Sequence, residues 1–204
     1  TPGNLRTVGT LALSTEPRAI TVAGRYAYVI EHGDSTLRII DLSNPASPAQ
    51  VGSVAVNAVS SDVAVAGRYA YVVSSTDFRV IDVANPASPV TLGTLSTGIL
   101  NKHVQVAGGY AYATNDITND VNVINVANPA APVSVGGYNA GTITSIYIAG
   151  RYAYITDDSS DSLRIIDISN PAAPSSMASF SVGSSPDQVV VSGRYAYVVD
   201  DLFA

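Results

Sequence analysis

Cysteine and tryptophan are absent from this 204-residue chain, methionine occurs once, and only 13% of the residues are charged. Without cysteine there are no disulfide staples, thiolate metal sites or cysteine nucleophiles, although the redox compartment stays open. So low a charge content argues against disorder, which needs a polar and strongly charged chain. A net charge of −6 argues against nucleic acid as a partner, because phosphates demand a basic face. No apolar run approaches the roughly 18 residues of a membrane span. Helical periodicity and helix caps are missing as well. A start at Thr1, with no charged-then-apolar leader, is the expectation for a processed or excised chain. What is present, at 47% hydrophobic residues, suffices for the core of one compact domain over residues 1–204.

The positive signal is repetition. Ala23-Gly24-Arg25-Tyr26-Ala27-Tyr28 returns at Ala66–Tyr71, at Ala107–Tyr112 with Gly109 in place of Arg, at Ala149–Tyr154, and at Ser192–Tyr197. Its glycines are spaced 43, 41, 42 and 43 residues apart. A second motif, Asn-Pro-Ala-x-Pro, starts at Asn44, Asn85, Asn128 and Asn170. Within a unit the apolar pattern has period two. Ile20-Thr21-Val22 and Tyr26–Ile30 read as strands joined by a tight turn, where Gly24 accepts a positive φ. A polar loop leads to a third strand, Leu37–Asp41. Two prolines in the next motif keep it out of any ladder, and Val51–Val56 is a fourth strand.

Four short strands in about 42 residues, repeated, are the signature of β-propeller blades. The expected fold is all-β, a propeller of five four-stranded blades, with repeats at about 19–57, 62–98, 103–140, 145–183 and 187–204. Thr1-Pro2 aligns with Asn44-Pro45, and Val8-Gly9-Thr10-Leu11 aligns with Val51-Gly52-Ser53-Val54. Residues 1–14 are therefore expected to supply an outer strand that closes the last blade, whose third strand starts at Leu202. The alternative is a window from a longer array of blades.

Leu37-Arg38-Ile39-Ile40-Asp41, Phe78-Arg79-Val80-Ile81-Asp82 and Leu163-Arg164-Ile165-Ile166-Asp167 resemble the core of the LVIVD repeat. That bacterial and archaeal propeller family carries a Gly-x-Tyr-Ala-Tyr-Val strand before the core and an Asn/Asp-Pro-x-x-Pro turn after it. The resemblance covers nearly the whole chain and implies a surface or secreted protein, with no catalytic residues to carry over. Blade three departs from it with Val121-Asn122-Val123-Ile124-Asn125. WD-type repeats are excluded by the lack of tryptophan.

The hairpin of strands two and three sets Arg25 beside Asp41, Arg68 beside Asp82 and Arg151 beside Asp167. Blade three loses both members together, as Gly109 and Asn125, so these charges read as scaffold pairs. Residues that differ between blades are better site candidates. The first-strand starts, Arg18, Asp62, Lys102-His103, Thr144-Ser145 and Asp187-Gln188, are expected to ring the central channel, as a ligand site or as a solvated mouth. On the same face the loops between strands two and three are acidic: Glu31 and Asp34, Asp116 and Asp120, Asp157-Asp158-Ser159-Ser160-Asp161, and Asp200-Asp201. Asp157, Asp158 and Asp161 form a candidate calcium loop, although aspartate is also an ordinary turn former and no EF-hand spacing occurs.

Catalysis has little support. His32 and His103 stand alone, and there is no nucleophile elbow or phosphate-binding glycine loop. A funnel-type glycosidase would need two carboxylates about 5–10 Å apart, for which Asp62, Asp187 and Glu16 are the candidates. The expected function is a non-catalytic, extracellular or cell-surface module that binds a protein or glycan or serves assembly. The alternatives are a lattice or fibre subunit, self-associating through uncharged outer strands, and the glycosidase-like enzyme.

Overall fold

The computed structural model describes residues 6–98, 101–115 and 117–201. Blade one contains β1 (Pro17–Ala23), β2 (Tyr26–Glu31), β3 (Thr36–Asp41) and β4 (Ala49–Ala55). Blade two contains β5 (Ser60–Ala66), β6 (Tyr69–Ser74), β7 (Asp77–Asp82) and β8 (Val90–Ser96). Blade three contains β9 (Asn101–Ala107), β10 (Tyr110–Asn115), β11 (Asp120–Asn125) and β12 (Val133–Asn139). Blade four contains β13 (Ile143–Ala149), β14 (Tyr152–Asp157), β15 (Ser162–Asp167) and β16 (Ser175–Ser181), and the fifth sheet pairs β17 (Pro186–Ser192) with β18 (Tyr195–Asp200). Every pairing is antiparallel between chain neighbours, as the period-two pattern and short turns require. Among the described residues the helical content is one 3-10 turn, Asp158–Ser160.

The turns follow from their residues. Gly24, Gly67, Gly108, Gly150 and Gly193 all have φ near +60°, and a Cβ on any of them would meet nothing within 4 Å. Backbone conformation, not space, is what demands glycine there. In the other recurrent turn, Asn44 Oδ1 accepts from Ala46 N at 3.2 Å, and Asn85, Asn128 and Asn170 repeat the bond. This Asx turn, with proline next to the asparagine, reverses the chain between third and fourth strands.

β1 packs on β5, β5 on β9, β9 on β13 and β13 on β17, so the first strands line the axis and the fourth strands the rim. The core consists of blade-to-blade joints. Tyr28, Ile30, Leu37 and Ile39 of blade one meet Val63, Val72 and Ile81 of blade two. Tyr71, Val73, Phe78 and Val80 meet Val104, Ala111 and Ile124, and the pattern repeats between blades three and four. Each blade thus offers a tyrosine-led trailing face to the aliphatic leading face of the next.

The series of joints has no comparable contact between β17 and β1. Residues 6–14 carry no strand pairing, yet they follow the course of an outer strand ahead of blade one. A Cβ on Gly9 would collide with Pro45 O, just as Cβ atoms on Gly52, Gly93 and Gly136 would collide with the proline carbonyls of the next blade's turn. The rest of the expected closure, Thr1-Pro2 and a third strand from Leu202, lies outside the described residues.

Candidate functional site

The loops between second and third strands and those between blades share one face of the propeller. His32 N donates to Glu16 O, Ser75 N to Val59 O, Asp158 N to Thr142 O and Asp201 N to Ser185 O. Below these bonds every first strand is bulged at its start, for example between Pro17 and Ala19 and between Ser60 and Asp62. A bulge re-aims side chains at a rim. It falls at Arg18, at Lys102-His103, at Thr144 and at Asp187, among the residues expected at the channel mouth.

Asp62 is the most constrained of them. Its Oδ1 accepts from Val63 N at 2.8 Å, and its Oδ2 accepts from Val104 N of the next blade at 3.0 Å. His103 Nδ1 lies 3.9 Å from the same oxygen. Burial pushes the Asp62 carboxyl above its ordinary range, against the two N–H donors and His103. The residue borders a polar cavity of about 230 Å³ between β1, β5 and β9, where Thr21 and Gln105 also contribute. A carboxyl with a raised pKa in a cavity is a functional-site signal. Here Oδ1 is held by its own strand while Oδ2 clamps blade two to blade three.

The other mouth residues divide. Ser145 Oγ accepts from Val189 N at 3.5 Å, repeating the Asp62 clamp, and Thr144 Oγ1 donates to Pro186 O and to Thr156 Oγ1. Arg18, Lys102, Asp187 and Gln188 are exposed. The structure does not set Asp62 and Asp187 on adjacent blades: three blade steps separate β5 from β17.

The calcium candidates are not brought together as a ligand set. Asp157 is buried and serves its own turn, accepting from Ser159 N at 3.1 Å, from the hydroxyls of Ser159 and Ser160, and from Arg164 Nε at 2.8 Å. Asp161 takes a left-handed φ of 48° and accepts from Ser185 N at 3.0 Å, while Asp158 is exposed. Among the described residues no three Asp, Glu or His side chains form a group suited to a metal ion. Asp116 lies outside the described residues.

The hairpin charges pair within their blades. Arg25 Nη2 donates to Asp41 Oδ2 at 2.7 Å, and Arg68–Asp82 and Arg151–Asp167 repeat the contact. The same aspartates cap the following turn: Ser43 N, Ala84 N and Ser169 N donate to Oδ1 at 2.8–2.9 Å. Asn125 keeps that second bond to Ala127 N at 2.9 Å, which explains why blade three manages without the charge. The arginines also lie over the tyrosines that follow them, at 5.0 Å for Arg25 on Tyr26.

Sequence reasoning missed a second, deeper set of pairs. Arg38 binds buried Glu31, Arg164 binds buried Asp157, and Arg79 reaches Asp77 at 3.0 Å. The signal was present, since the third-strand arginine is Asn122 in blade three, where the end of strand two is Asn115. An apolar groove also starts at Pro17 and Arg18, beside the mouth. It occupies about 500 Å³ on the leading face of blade one, lined by Leu11, Leu13, Ile20, Val22, Val29 and Ile40 among others.

The blade as now described is a Gly-turn hairpin, a third strand with Arg (Asn122 in blade three) ending in Asp or Asn, and an Asn-Pro turn. A sequence model of the LVIVD repeat matches residues 16–56, 59–97, 101–140, 140–182 and 183–202. The chain belongs to the LVIVD-repeat family. Its LVIVD blades superpose on a protein of unknown function from Desulfotomaculum acetoxidans with a TM-score of 0.84 at 15% identity, over 97% of this chain and 68% of that one. A Lactobacillus plantarum protein matches with a TM-score of 0.80 at 12% identity, over 94% and 66%. A Bacteroides uniformis protein, provisionally named a 6-phosphogluconolactonase, matches at 0.71 and 14%, over 81% and 55%. This LVIVD chain thus spans about 55% to 68% of the length of these structures, and at such identities the likeness shows the fold alone. No curated protein shows significant similarity to it.

Proposed function

We propose that the chain is a non-catalytic binding or assembly module whose working surface is the loop-bearing face with the channel mouth. One observation carries this reading: the turns and ion pairs repeat from blade to blade, whereas the exposed mouth residues Arg18, Lys102, Asp187 and Gln188 differ in charge and size. A regular scaffold presenting irregular loops is the usual arrangement of a recognition surface. The partner class is a protein or a glycan. An extracellular or cell-surface location follows from the family resemblance and is part of the proposal.

The lactonase name of two neighbours and the funnel-glycosidase alternative both require acid–base groups close together. Asp62, the carboxyl best placed for such work, is engaged through both oxygens. Edge-to-edge fibre formation is disfavoured by a bulge in each described fourth strand, as at Val51 opposite Ile39 and Ile40, which twists an otherwise uncharged edge.

The test is a glycan array and a polysaccharide-hydrolysis screen with wild type, Lys102→Ala, Asp187→Ala and Asp62→Asn. Saturable binding weakened at least tenfold by Lys102→Ala or Asp187→Ala, without turnover, supports the proposal. Turnover abolished by Asp62→Asn would overturn it in favour of the enzyme.

A further inference from the structure

Blade three has lost bulk where the other blades carry a polar side chain. The third-strand arginine, Arg38, Arg79 or Arg164 elsewhere, is Asn122. Its cross-strand partner on the fourth strand, Ser53, Thr94 or Ser179 elsewhere, is Gly137. Ahead of blade one Ser14 Oγ donates to Asp34 Oδ2 at 2.7 Å, and ahead of blade two Asn57 Nδ2 donates to Asp77 Oδ2 at 3.4 Å. The corresponding residue ahead of blade three is Gly98, where a Cβ would meet nothing within 4 Å. What blade three keeps is an acid, since Asp120 stands where blade two has Asp77. Between the end of blade two and the outer half of blade three lies a cavity of about 260 Å³. Thr97 borders it on one side, and Asn115, Asp120, Asn122, Ser134 and Gly137 on the other.

Asp120 is the one charged side chain among the described residues that line this cavity. It is half-buried, and its carboxylate makes no hydrogen bond or ion pair among the described residues. In blade two the equivalent carboxylate accepts from Arg79 Nε at 3.2 Å and from Nη2 at 3.0 Å. The neighbouring amides do not replace that arginine. Asn115 Oδ1 accepts from Ile117 N at 2.8 Å and Thr118 N at 3.1 Å, and Asn122 Oδ1 accepts from Ser134 Oγ at 2.5 Å. A half-buried carboxylate in a polar cavity favours a cation with directed N–H donors, and a planar guanidinium offers two of them side by side. We infer that this cavity binds the guanidinium of an arginine side chain carried by a partner protein, in the place that Arg79 takes in blade two. The opening is at the rim, where Ser134 and Gly137 are exposed, so a side chain can enter from outside.

None of these residues belongs to the channel mouth, so the inference does not rest on the reading of that surface. The experiment is an NMR titration of the whole chain with the peptide Gly-Gly-Arg-Gly-Gly, with its uncharged citrulline counterpart, and with methylguanidinium. The arginine peptide is expected to give saturable shifts of the Asn122 and Gly137 amides, and the citrulline peptide to bind at least about tenfold more weakly. Asp120→Asn should weaken the arginine peptide by a similar factor. Asn122→Arg, which gives blade three the arginine of its neighbours, should abolish binding and raise the melting temperature. Circular dichroism checks that both variants fold, and Asp120→Asn alone decides the matter should Asn122→Arg not do so. Equal affinity for the arginine and citrulline peptides, or unchanged binding by Asp120→Asn, overturns the inference. So does the lack of saturable shifts up to about 20 mM, above the millimolar range of a weak single-group contact. Methylguanidinium bound more tightly than the arginine peptide would overturn the protein-borne source in favour of a free cation.

Discussion

Ile20 and Val63 occupy the same step of the same repeat, yet one lies under a neighbouring blade and the other does not. The difference cannot come from local sequence, since both follow a bulge, precede a Gly turn and alternate with smaller residues. It comes from what the preceding blade supplies: four residues of blade one seal Val63, whereas among the described residues it is the unladdered segment with Leu13 that packs on blade one, where Ala27, Val29 and Ile40 are buried and Ile20 stays exposed. A propeller blade is stable as half of two joints, so its end faces keep the composition of a core while facing solvent.

Substitutions that treat the two sites alike should break this comparison most visibly. Val63→Asp buries an unpaired carboxylate in the first joint and should cost about 4 kcal/mol or more. Ile20→Asp, measured on the dilute monomer by urea denaturation, should stay within about 0.5 kcal/mol of wild type. Equal losses would mean that β1 is sealed as tightly as β5. Gly93→Ala comes next. A Cβ there lies 2.8 Å from Pro132 Cδ and collides with Pro129 O, so the joint between blades two and three must open, at about 2 kcal/mol. Gly9→Ala meets the same kind of carbonyl and should cost less, because the segment that carries it has no ladder to disrupt. Hydrogen exchange would follow both.

Changes inside one blade sharpen the contrast from the other side, because they leave every joint intact. Arg164→Asn removes the partner of buried Asp157 and should cost about 2 kcal/mol. Adding Asp157→Asn gives blade four the neutral pair of blade three and should return part of that loss; an additive double mutant would argue against a buried charge penalty. Asp82→Asn should have the smallest effect, since its turn bond survives as it does at Asn125. The Arg68 guanidinium and the Ala84 N–H hold the Asp82 carboxyl below its ordinary 3.8. A lowered folded-state value means that the ionised pair contributes fully above about pH 3.8 and is lost as the pH falls through the lower value. Thermal melts of wild type and Asp82→Asn should therefore differ slightly at neutral pH and converge below pH 3.8.

Much of this was legible because the fold is periodic. Gly24 and its counterparts mark the hairpins, Asn44-Pro45 and its counterparts mark the third turn, and the Arg25–Asp41 pairing follows from hairpin register alone. Other features required three dimensions. Glu31 and Asp157 look like loop acids in sequence, yet each ends a buried second strand and needs the third-strand arginine. Asp62 looks like a free channel carboxylate, but the bulge before it turns both oxygens onto backbone N–H groups of two blades. The uncovered faces were illegible for a different reason: a period-two apolar pattern is identical whether or not another blade lies against it.

The absence of cysteine makes the most direct test clean. Thiol labelling of Ile20→Cys and Val63→Cys would be followed on folded, dilute protein, about 1 µM. The account predicts that the thiol at position 20 reacts nearly as fast as a free peptide thiol, and that the one at position 63 is protected by orders of magnitude. Equal protection at the lowest concentration would mean that blade one is covered within a single chain, and would contradict the account.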